Sequence, residues 1–550
     1  MNAHRSSYVH GTGSEPLTAM TVADVLDTAA NEWPDRDAVV APHQTIRWSW
    51  QGLRTEARAL GAGLLASGLE PGDRIGIVAP NLAEWVAVQF GAAYAGLVLV
   101  NINPAYRADE LEYALEKTGC RAVIAVPAFK TTDYIQMLRE IAAPRLKLIV
   151  SLGDDRLSGC TRYADVVASA DSKRLAVLDR VAAGLDPDDP VNIQFTSGTS
   201  GSPKAATLTH HNIVNNASLS AGILRFTEDD RLCIPVPMYH CFGMVLGSLL
   251  CAIRGAAIVF PSAGFDAAAV LDAVESERCT AVHGVPTMFI AALDEPDFAR
   301  RDLGSLRTGI MAGAPCPVEL MKRVIDEMHL AEITIGYGMT ETGPLSTQTS
   351  IDDPLERRVT TVGRAMPHTE IKVVDEQGRI VPRGESGELC TRGYCVMRGY
   401  WGDPERTAEE IDAAHWIRTG DIAEIDAAGY VSIVGRLKDM IIRGGENIYP
   451  REIEEFLYTH PKIDEVEVFG VPDRKFGEQV AVWIRLREDE TASAEEIRDF
   501  CRSKLAHFKV PQYIKFVAEF PMTVTGKVQK FVMRDAMVEE LGLTSGNTKQ

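Results

Sequence analysis

The segment that decides the fold of this chain is Thr196-Ser197-Gly198-Thr199-Ser200-Gly201-Ser202-Pro203-Lys204. It follows a strand-like run over residues 191–195 and holds five hydroxyl side chains, two glycines and one lysine. Glycines allow backbone N–H groups to turn towards an anion, hydroxyls supply further donors, and Lys204 supplies a positive charge. A solvated Ser/Gly turn is the alternative, but such a turn does not require the closing Pro203-Lys204. The segment therefore predicts a loop that binds polyphosphate.

This loop differs from the Walker P-loop, whose pattern is G-x-x-x-x-G-K-[ST], because Pro203 precedes Lys204 and Ala205 follows it. It resembles instead the phosphate-binding motif of the adenylate-forming superfamily, which contains acyl-CoA synthetases, non-ribosomal adenylation domains and luciferases. Five further motifs of that superfamily follow in the expected order: Tyr337-Gly338-Met339-Thr340-Glu341, Thr419-Gly420-Asp421, Gly435-Arg436-Leu437-Lys438-Asp439, Arg443-Gly444-Gly445-Glu446-Asn447 and Pro521-Met522-Thr523-Val524-Thr525-Gly526-Lys527. The resemblance runs from about a third of the way along the chain to near its end.

The composition of the chain indicates what kind of partner it binds and in which cell compartment it works. The 550 residues are 46% hydrophobic and 24% charged, which is ordinary for a globular protein of two or more domains. A net charge of −20 argues against a nucleic-acid partner. The ten cysteines never form C-x-x-C, so we expect reduced thiols in the cytoplasm and no zinc site.

Membrane insertion is not expected. Residues 1–16 lack the apolar stretch of a secretory signal. The longest apolar run, residues 244–260, is interrupted by Arg254 and is too short for a confident membrane span. Peripheral membrane contact and a homodimer stay open alternatives.

The order of predicted elements indicates an α/β architecture. Strand-like and helical stretches alternate over residues 37–151 and again after the phosphate loop, which is typical of layered α/β subdomains with largely parallel sheets. After about Gly363, strand-like runs and Gly/Pro turns predict a β-rich subdomain. We expect a large N-terminal AMP-binding domain over residues 1–435, a short hinge at 436–439 and a small mobile C-terminal α+β domain over 440–550.

The chemistry of acid activation explains which residues are needed. A carboxylate is already ionised at neutral pH, since the pKa of a carboxyl group in water is roughly 4, so no general base is required. The obstacle is electrostatic, because an anion must approach the α-phosphate of a polyanion, and the enzyme must supply cations and donors there. Mg²⁺ prefers oxygen ligands, so a carboxylate such as that of Glu341 suits it.

The resemblance implies an ATP site built from the quoted motifs. Residues 196–204 bind the phosphates, and Gly313-Ala314-Pro315 and Tyr337 line the adenine. Thr340 contacts the α-phosphate and Glu341 holds Mg²⁺, while Asp421 and Arg436 fix the ribose. As isolated features, these segments would be read as turns with surface side chains.

The resemblance also assigns residues of the hinge and small domain to each half-reaction. Lys527 bridges the carboxylate and phosphate during adenylation, although a solvated lysine is the common fate of this residue type. In the second half-reaction the small domain turns about Asp439 and presents Gly444, Gly445 and Glu446 to coenzyme A. A hairpin turn is the alternative for Gly444-Gly445.

His240 resembles the residue at the mouth of the acyl pocket in this superfamily, and a buried core histidine is an equally good interpretation. Residues 236–246, Val285 and Met311 predict an apolar pocket, where each buried methylene of an alkyl chain contributes roughly 0.8 kcal/mol. The segments Tyr239-His240-Cys241, Pro286-Thr287-Met288-Phe289 and His507-Phe508-Lys509-Val510-Pro511 most resemble the medium-chain fatty acyl-CoA synthetase branch.

The leading hypothesis is thus a fatty acid:CoA ligase that consumes ATP and releases AMP and pyrophosphate. Three alternatives stay open: an acyl-AMP ligase that loads a carrier protein, an aryl-acid CoA ligase, and a catalytically silent regulator that binds a nucleotide or acyl-adenylate. Intact Lys527, Glu341 and Asp421 weigh against the silent regulator.

Overall fold

The computed structural model describes residues 6–141, 143–196, 203–444, 446–502, 504–522 and 528–543. The strands are β1 Tyr8–His10, β2 Asp37–Ala41, β3 Ile46–Ser49, β4 Arg74–Val78, β5 Val98–Asn101, β6 Ala122–Ala125, β7 Ala128–Phe129, β8 Thr132–Asp133, β9 Leu148–Ser151, β10 Thr161–Arg162, β11 Pro190–Thr196, β12 Lys204–Thr209, β13 Arg231–Cys233, β14 Ala257–Val259, β15 Ala281–Gly284, β16 Thr308–Met311, β17 Glu332–Gly338, β18 Leu345–Gln348, β19 Arg364–Ala365, β20 Thr369–Val374, β21 Gly387–Gly393, β22 Gly399–Tyr400, β23 Ile417–Ile425, β24 Val431–Arg436, β25 Ile441–Arg443, β26 Glu446–Ile448, β27 Ile463–Asp473, β28 Gly477–Leu486 and β29 Tyr513–Phe516.

The helices are α1 Val22–Glu32, α2 Trp50–Ala66, α3 Ala83–Tyr94, α4 Ala108–Thr118, α5 Tyr134–Glu140, α6 Tyr163–Ala168, α7 Ser172–Ala182, α8 His210–Ile223, α9 Cys241–Gly243, α10 Leu250–Arg254, α11 Ala267–Glu277, α12 Pro286–Leu293, α13 Val318–Glu327, α14 Leu355–Thr360, α15 Pro404–Glu410, α16 Pro450–Leu457, α17 Ala494–Arg502 and α18 Lys530–Glu540. A π-helical stretch, Met244–Leu249, joins α9 to α10 without a break.

Two large sheets form the layered part of the N-terminal domain. The first has the strand order β10-β9-β6-β4-β5-β11-β12-β22, and the second has the order β19-β18-β17-β16-β15-β13-β14-β2-β3. Both are parallel through their centres and become antiparallel towards an edge. Strands such as β5 are buried along their whole length, which explains their near-continuous apolar sequence.

The expected β-rich region after residue 363 supplies four strands of a five-stranded antiparallel sheet with the order β1-β20-β21-β23-β24, and the fifth strand, β1, comes from the N-terminal part of the chain. The C-terminal domain has a further sheet, β26-β25-β28-β27, with β29 parallel to β28. Helices α16 and α17 contribute buried side chains to its core, including Ile453 and Ile497. The fold class predicted from the sequence, a large α/β domain followed by a smaller C-terminal domain, is therefore confirmed.

Close packing of α2 against α3 holds the first sheet's helical layer in place. A Cβ atom on Gly61 would lie 2.7 Å from the carbonyl oxygen of Gly91, so neither position has room for a side chain. Trp50 on α2 and Trp85 and Phe90 on α3 are fully buried. Among the residues that the structure describes, no helix combines the length and the apolar character needed to cross a bilayer.

The second sheet depends on a glycine in its central region. Gly309 on β16 pairs with Val282 on β15, and a Cβ atom at Gly309 would lie 2.0 Å from the Val282 carbonyl oxygen. We predict that Gly309→Ala lowers the free energy of unfolding by at least about 2 kcal/mol, because backbone atoms cannot move away as a flexible side chain could. Thermal unfolding followed by tryptophan fluorescence measures this change.

The matched control is Gly52→Ala in α2, where the nearest atom to the added Cβ is the Ser49 Oγ at 3.5 Å. Alanine is favoured over glycine within a helix by about 1 kcal/mol, so this variant should be neutral or more stable. Equal unfolding midpoints for the two variants would contradict the packing argument.

Candidate active site

The ends of the predicted phosphate loop are held by a β-hairpin stem. Strand β11 ends at Thr196 and β12 begins at Lys204, and these two residues are register partners. Tyr113 donates a hydrogen bond of 3.0 Å to the Pro203 carbonyl oxygen beside this stem. The six loop residues between Thr196 and Pro203 lie outside the described residues, so their predicted contacts stay predictions; they are Ser197, Gly198, Thr199, Ser200, Gly201 and Ser202.

Glu341 is buried directly beside this stem. It lies in a short 3-10 helix, Thr340–Thr342, that follows β17. Its Oε1 atom accepts hydrogen bonds from the Thr196 hydroxyl at 2.9 Å and from the Tyr400 hydroxyl at 3.0 Å. The side chain of Glu341 is therefore fixed by residues from two other segments, and the structure brings together two motifs that are 145 positions apart in the sequence.

Lys204 completes this cluster through partners that the sequence did not indicate. Its Nζ atom lies 2.5 Å from Oε1 of Glu410, 3.4 Å from the Tyr400 hydroxyl and 5.1 Å from the centroid of the Tyr400 ring. Burial, followed by the charges of Glu341 and Glu410, raises the pKa of Tyr400, so its hydroxyl keeps its proton and can donate. An anion that takes the Lys204 charge must compete with Glu410.

Neither Tyr400 nor Glu410 could have been found from local sequence signals. Tyr400 reaches Lys204 because β22 pairs with β12, placing Tyr400 opposite Ala206. Glu410 is the last residue of α15, which ends near the same stem. Both contacts span about two hundred positions of sequence and depend on strand order at the sheet edge.

A second cluster surrounds Asp421. Its Oδ2 atom accepts a hydrogen bond of 2.6 Å from the Tyr337 hydroxyl, and its Oδ1 atom accepts one of 3.0 Å from Nε of Arg436. Asp421 and Arg436 are register partners on β23 and β24. Burial and the Asp421 charge raise the pKa of Tyr337, which keeps it a donor. The structure thus unites three predicted nucleotide-binding residues around one carboxylate.

Gly313, Ala314 and Pro315 follow β16, which is parallel to β17. The carboxyl ends of adjacent parallel strands lie at the same edge of a sheet, so this segment emerges beside the Tyr337 motif. Gly313 has a backbone φ of 87°, a conformation that favours glycine. This position is compatible with the predicted role of residues 313–315 in lining the adenine of ATP.

His240 lies at the start of the continuous helix that runs through the π-helical stretch. Its Nδ1 atom accepts a hydrogen bond of 3.2 Å from the Phe242 backbone N–H. The adjacent Cys241 thiol lies 3.7 Å from the Thr340 hydroxyl, which places the His240 segment beside the Tyr337–Glu341 motif. The residues of the π-helical stretch are buried, and π-helical turns recur at functional sites. The half-buried His240 side chain is thus near the cluster, while its role stays a prediction.

The residues predicted for the small domain are only partly described. Gly444 has a φ of 62° and donates its N–H to the Phe476 carbonyl oxygen at 2.7 Å, and Glu446 pairs with Arg443 across β25 and β26. This is the hairpin that the sequence allowed as an alternative, and its contact with coenzyme A stays a prediction. Gly445 and Lys527 lie outside the described residues.

The donor set fits a magnesium ion that is shared with a nucleotide. Among the described residues, no group of three or more His, Cys, Asp or Glu side chains could hold a metal by itself. Mg²⁺ is commonly held by one or two carboxylates together with substrate phosphates. The single buried carboxylate of Glu341 beside the phosphate-loop stem matches that arrangement.

Family models match both parts of the chain: "AMP-binding enzyme" over residues 26–401 and "AMP-binding enzyme C-terminal domain" over residues 452–527. The chain is 46% identical to medium-chain acyl-CoA ligase ACSF2, mitochondrial, of Danio rerio, over 98% of this chain and 92% of that protein. It is also 46% identical to the putative acyl-CoA synthetase YngI of Bacillus subtilis, over 96% and 99% of the two chains.

Solved structures give the same result at the level of the fold. The anthranilate CoA ligase AuaEII in complex with anthranoyl-AMP matches with a TM-score of 0.86 and 28% identity, over 96% of this chain and 99% of that one. ATP-bound MatB from Rhodopseudomonas palustris matches with a TM-score of 0.85 and 30% identity, over 95% and 100%.

The chain belongs to the AMP-binding enzyme family. Its motifs and its relatives agree further that it is an ATP-dependent acid–thiol ligase of the acyl-CoA synthetase type. The resemblance derived from the six motifs is therefore confirmed.

We predict that Tyr400→Phe lowers kcat/KM for ATP by roughly ten- to a hundredfold. The substitution removes the hydroxyl that touches both Glu341 and Lys204, and a hydrogen bond to a charged group is worth about 1.5–3 kcal/mol. Steady-state kinetics at saturating acid and coenzyme A measure the effect.

Tyr430→Phe is the matched control, because it removes a hydroxyl–carboxylate bond of 2.6 Å to Asp353 outside the cluster. This variant should lose stability but keep its kcat/KM for ATP. Unchanged ATP kinetics in Tyr400→Phe would show that the hydroxyl does not organise the phosphate site.

Proposed function

We propose that this protein is a fatty acid:CoA ligase that acts on a medium-chain carboxylic acid in two half-reactions through an acyl-adenylate. The observation that carries the proposal is the hydrogen-bonded cluster of Thr196, Glu341, Tyr400 and Lys204 at the stem of the phosphate loop. A cation, a metal-binding carboxylate and two hydroxyls within one cluster suit the triphosphate of ATP.

In the first half-reaction, a carboxylate oxygen of the acid attacks the α-phosphorus of ATP. The bond between that phosphorus and the bridging oxygen of pyrophosphate breaks, which gives the acyl-adenylate and pyrophosphate. Lys204, Thr340 and Lys527 neutralise or donate to the phosphate oxygens, and Asp421 with Arg436 orients the ribose. Glu341 would hold Mg²⁺ when ATP is bound, and the ion would supply further positive charge at the phosphates.

In the second half-reaction, the sulfur of coenzyme A attacks the acyl carbon, and the bond from that carbon to the AMP oxygen breaks. The thiol proton passes to solvent, and AMP leaves. We place the large domain at residues 1–435, the hinge at 436–439 and the small domain at 440–550. Support for the hinge comes from its short 3-10 helix, Leu437–Asp439, in which Leu437 is 51% exposed and therefore lightly packed.

The acid is proposed to carry an alkyl chain because the predicted pocket is built from apolar side chains, and the medium length is proposed from the resemblance to the medium-chain branch. Val236, Met244, Leu246 and Val285 belong to the main core cluster around the His240 helix. The name of the Danio rerio relative also specifies medium-chain substrates. An aryl acid is the second candidate, and it is favoured by the anthranilate CoA ligase among the structural neighbours.

We propose a cytoplasmic location, since nine of the ten cysteines are buried and none of the ten, all of which lie among the described residues, is in a disulfide. The Danio rerio relative is described as mitochondrial, so a reducing organelle interior is the competing location. Fractionation of cells that produce the protein distinguishes the two.

The experiment that tests the proposed function is a pyrophosphate-release screen over straight-chain acids of increasing length and aryl acids, with and without coenzyme A. We predict substrate-dependent release that is greatest with medium-chain acids, together with acyl-CoA formation at a comparable rate. Lys527→Ala should lower adenylation by at least roughly a hundredfold, because it removes the cation that bridges acid and phosphate.

Other outcomes of the screen select among the alternatives. Pyrophosphate release with inert coenzyme A would favour an acyl-AMP ligase that loads a carrier protein. A preference for aryl acids would replace the medium-chain assignment. No release with any acid would contradict an enzymatic role altogether.

A further inference from the structure

The segment that carries Lys527 is closed at its base by described residues on either side. Met522 and Val528 form an isolated antiparallel bridge. The Gln529 N–H donates a hydrogen bond of 2.8 Å to the Pro521 carbonyl oxygen. Residues 523–527 themselves lie outside the described residues, and the structure shows what holds their two flanks.

One flank is tied to the interior of the small domain by Lys530, three positions after Lys527. The Lys530 Nζ atom lies 2.5 Å from Oε1 of Glu454 and 3.0 Å from Oε2 of Glu467, and it donates to the Val468 carbonyl oxygen at 3.0 Å. Glu454 belongs to α16 and Glu467 to β27. A single ammonium therefore links the start of α18 to a helix and a strand.

Glu454 is itself fixed by a second contact. Oε1 of Glu454 also accepts a hydrogen bond of 2.9 Å from the Val468 backbone N–H, and its side chain is only 7% exposed. Burial raises the pKa of Glu467. Although burial alone would lower it, the charges of Glu454 and Glu467 raise the pKa of Lys530. The ammonium thus remains charged at neutral pH and keeps its bonds to this rigid frame.

The position of Lys530 is unfavourable for the helix that it begins. It is the first residue of α18, and the first turn of that helix contains no acidic residue. A cation at a helix N-terminus opposes the helix dipole by about 0.3–1 kcal/mol. Replacing a buried ion pair with apolar side chains is often neutral or stabilising. A lysine at position 530 therefore has costs for stability. What it supplies is a fixed position for the start of α18.

We propose that Lys530 is a positioning residue for adenylation: its bonds to Glu454 and Glu467 hold the C-terminal flank of the Lys527 segment and so place the Lys527 ammonium. This inference rests on the proposed function, which gives Lys527 its role. A displacement of about 1 Å in a reacting group can cost roughly a hundredfold in rate. The loss should be confined to the half-reaction in which Lys527 acts.

The test measures the two half-reactions separately on the full-length protein. Adenylation is followed as pyrophosphate release, and thioester formation is followed from synthetic acyl-adenylate and coenzyme A. We expect Lys530→Met to slow adenylation by roughly ten- to a hundredfold, with thioester formation changed less than about twofold. Lys530→Arg, which can keep both ion pairs, should restore most of the adenylation rate.

Two further variants separate positioning from a general loss of structure. Glu467→Gln preserves the shape of the side chain and removes one charge, so it should give a smaller loss, again in adenylation alone. Lys515→Met removes the surface ion pair with Glu540 in the same domain and should leave both half-reactions unchanged. Thermal unfolding of each variant identifies any that fail to fold.

The double variant Lys527→Ala/Lys530→Met shows whether Lys530 acts through Lys527. We expect it to adenylate no more slowly than Lys527→Ala alone, since the residue being positioned is gone. Equal losses in both half-reactions, additive losses in the double variant, or normal adenylation by Lys530→Met would overturn the proposal. Normal adenylation by Lys527→Ala would instead overturn the role of Lys527 in the proposed function, and this inference with it.

Discussion

Electrostatic repulsion between a carboxylate and a triphosphate is the constraint on which the arrangement of this protein depends. The chain as a whole carries a net charge of −20, so its overall field repels both substrates. Local groups must reverse that field at the point of reaction. The stem formed by β11 and β12 holds the Lys204 ammonium opposite Thr196, and the Thr196 hydroxyl contacts the Glu341 carboxylate.

The architecture brings the predicted nucleotide-binding residues together. Parallel strands deliver the Tyr337 motif and the Gly313 segment to one sheet edge, and the antiparallel sheet delivers Asp421 to the Tyr337 hydroxyl. The Tyr400 hydroxyl then joins the Glu341 carboxylate to Lys204. The pairing of Lys204 with Glu410 has a consequence for binding, because the lysine is already neutralised by a protein carboxylate before an anion arrives. We expect a triphosphate, with several negative charges, to compete for it better than a singly charged anion does.

The sequence identified more of the candidate site residues than of the side chains that contact them. Alternating strand and helix patterns sufficed for the α/β class, since apolar runs between Gly and Pro turns report burial directly. The motifs identified Tyr337, Glu341, Asp421 and Arg436, because these residue types at that spacing match a known family. Tyr400 and Glu410 were missed, since their approach to Lys204 arises from β22 pairing at the edge of a sheet. The partners of Lys530 were likewise hidden, as they come from two other elements of the small domain.

The central claim, an acyl-adenylate formed at this cluster, is tested most directly by the fate of the acid's oxygen. The purified protein is incubated with ATP, coenzyme A and a medium-chain acid whose carboxylate carries heavy oxygen in both positions, and the products are analysed by mass spectrometry. The account predicts one heavy oxygen atom in the phosphoryl group of AMP and none in pyrophosphate. Acyl-CoA formation with unlabelled AMP, or with the label in pyrophosphate or inorganic phosphate, would contradict it.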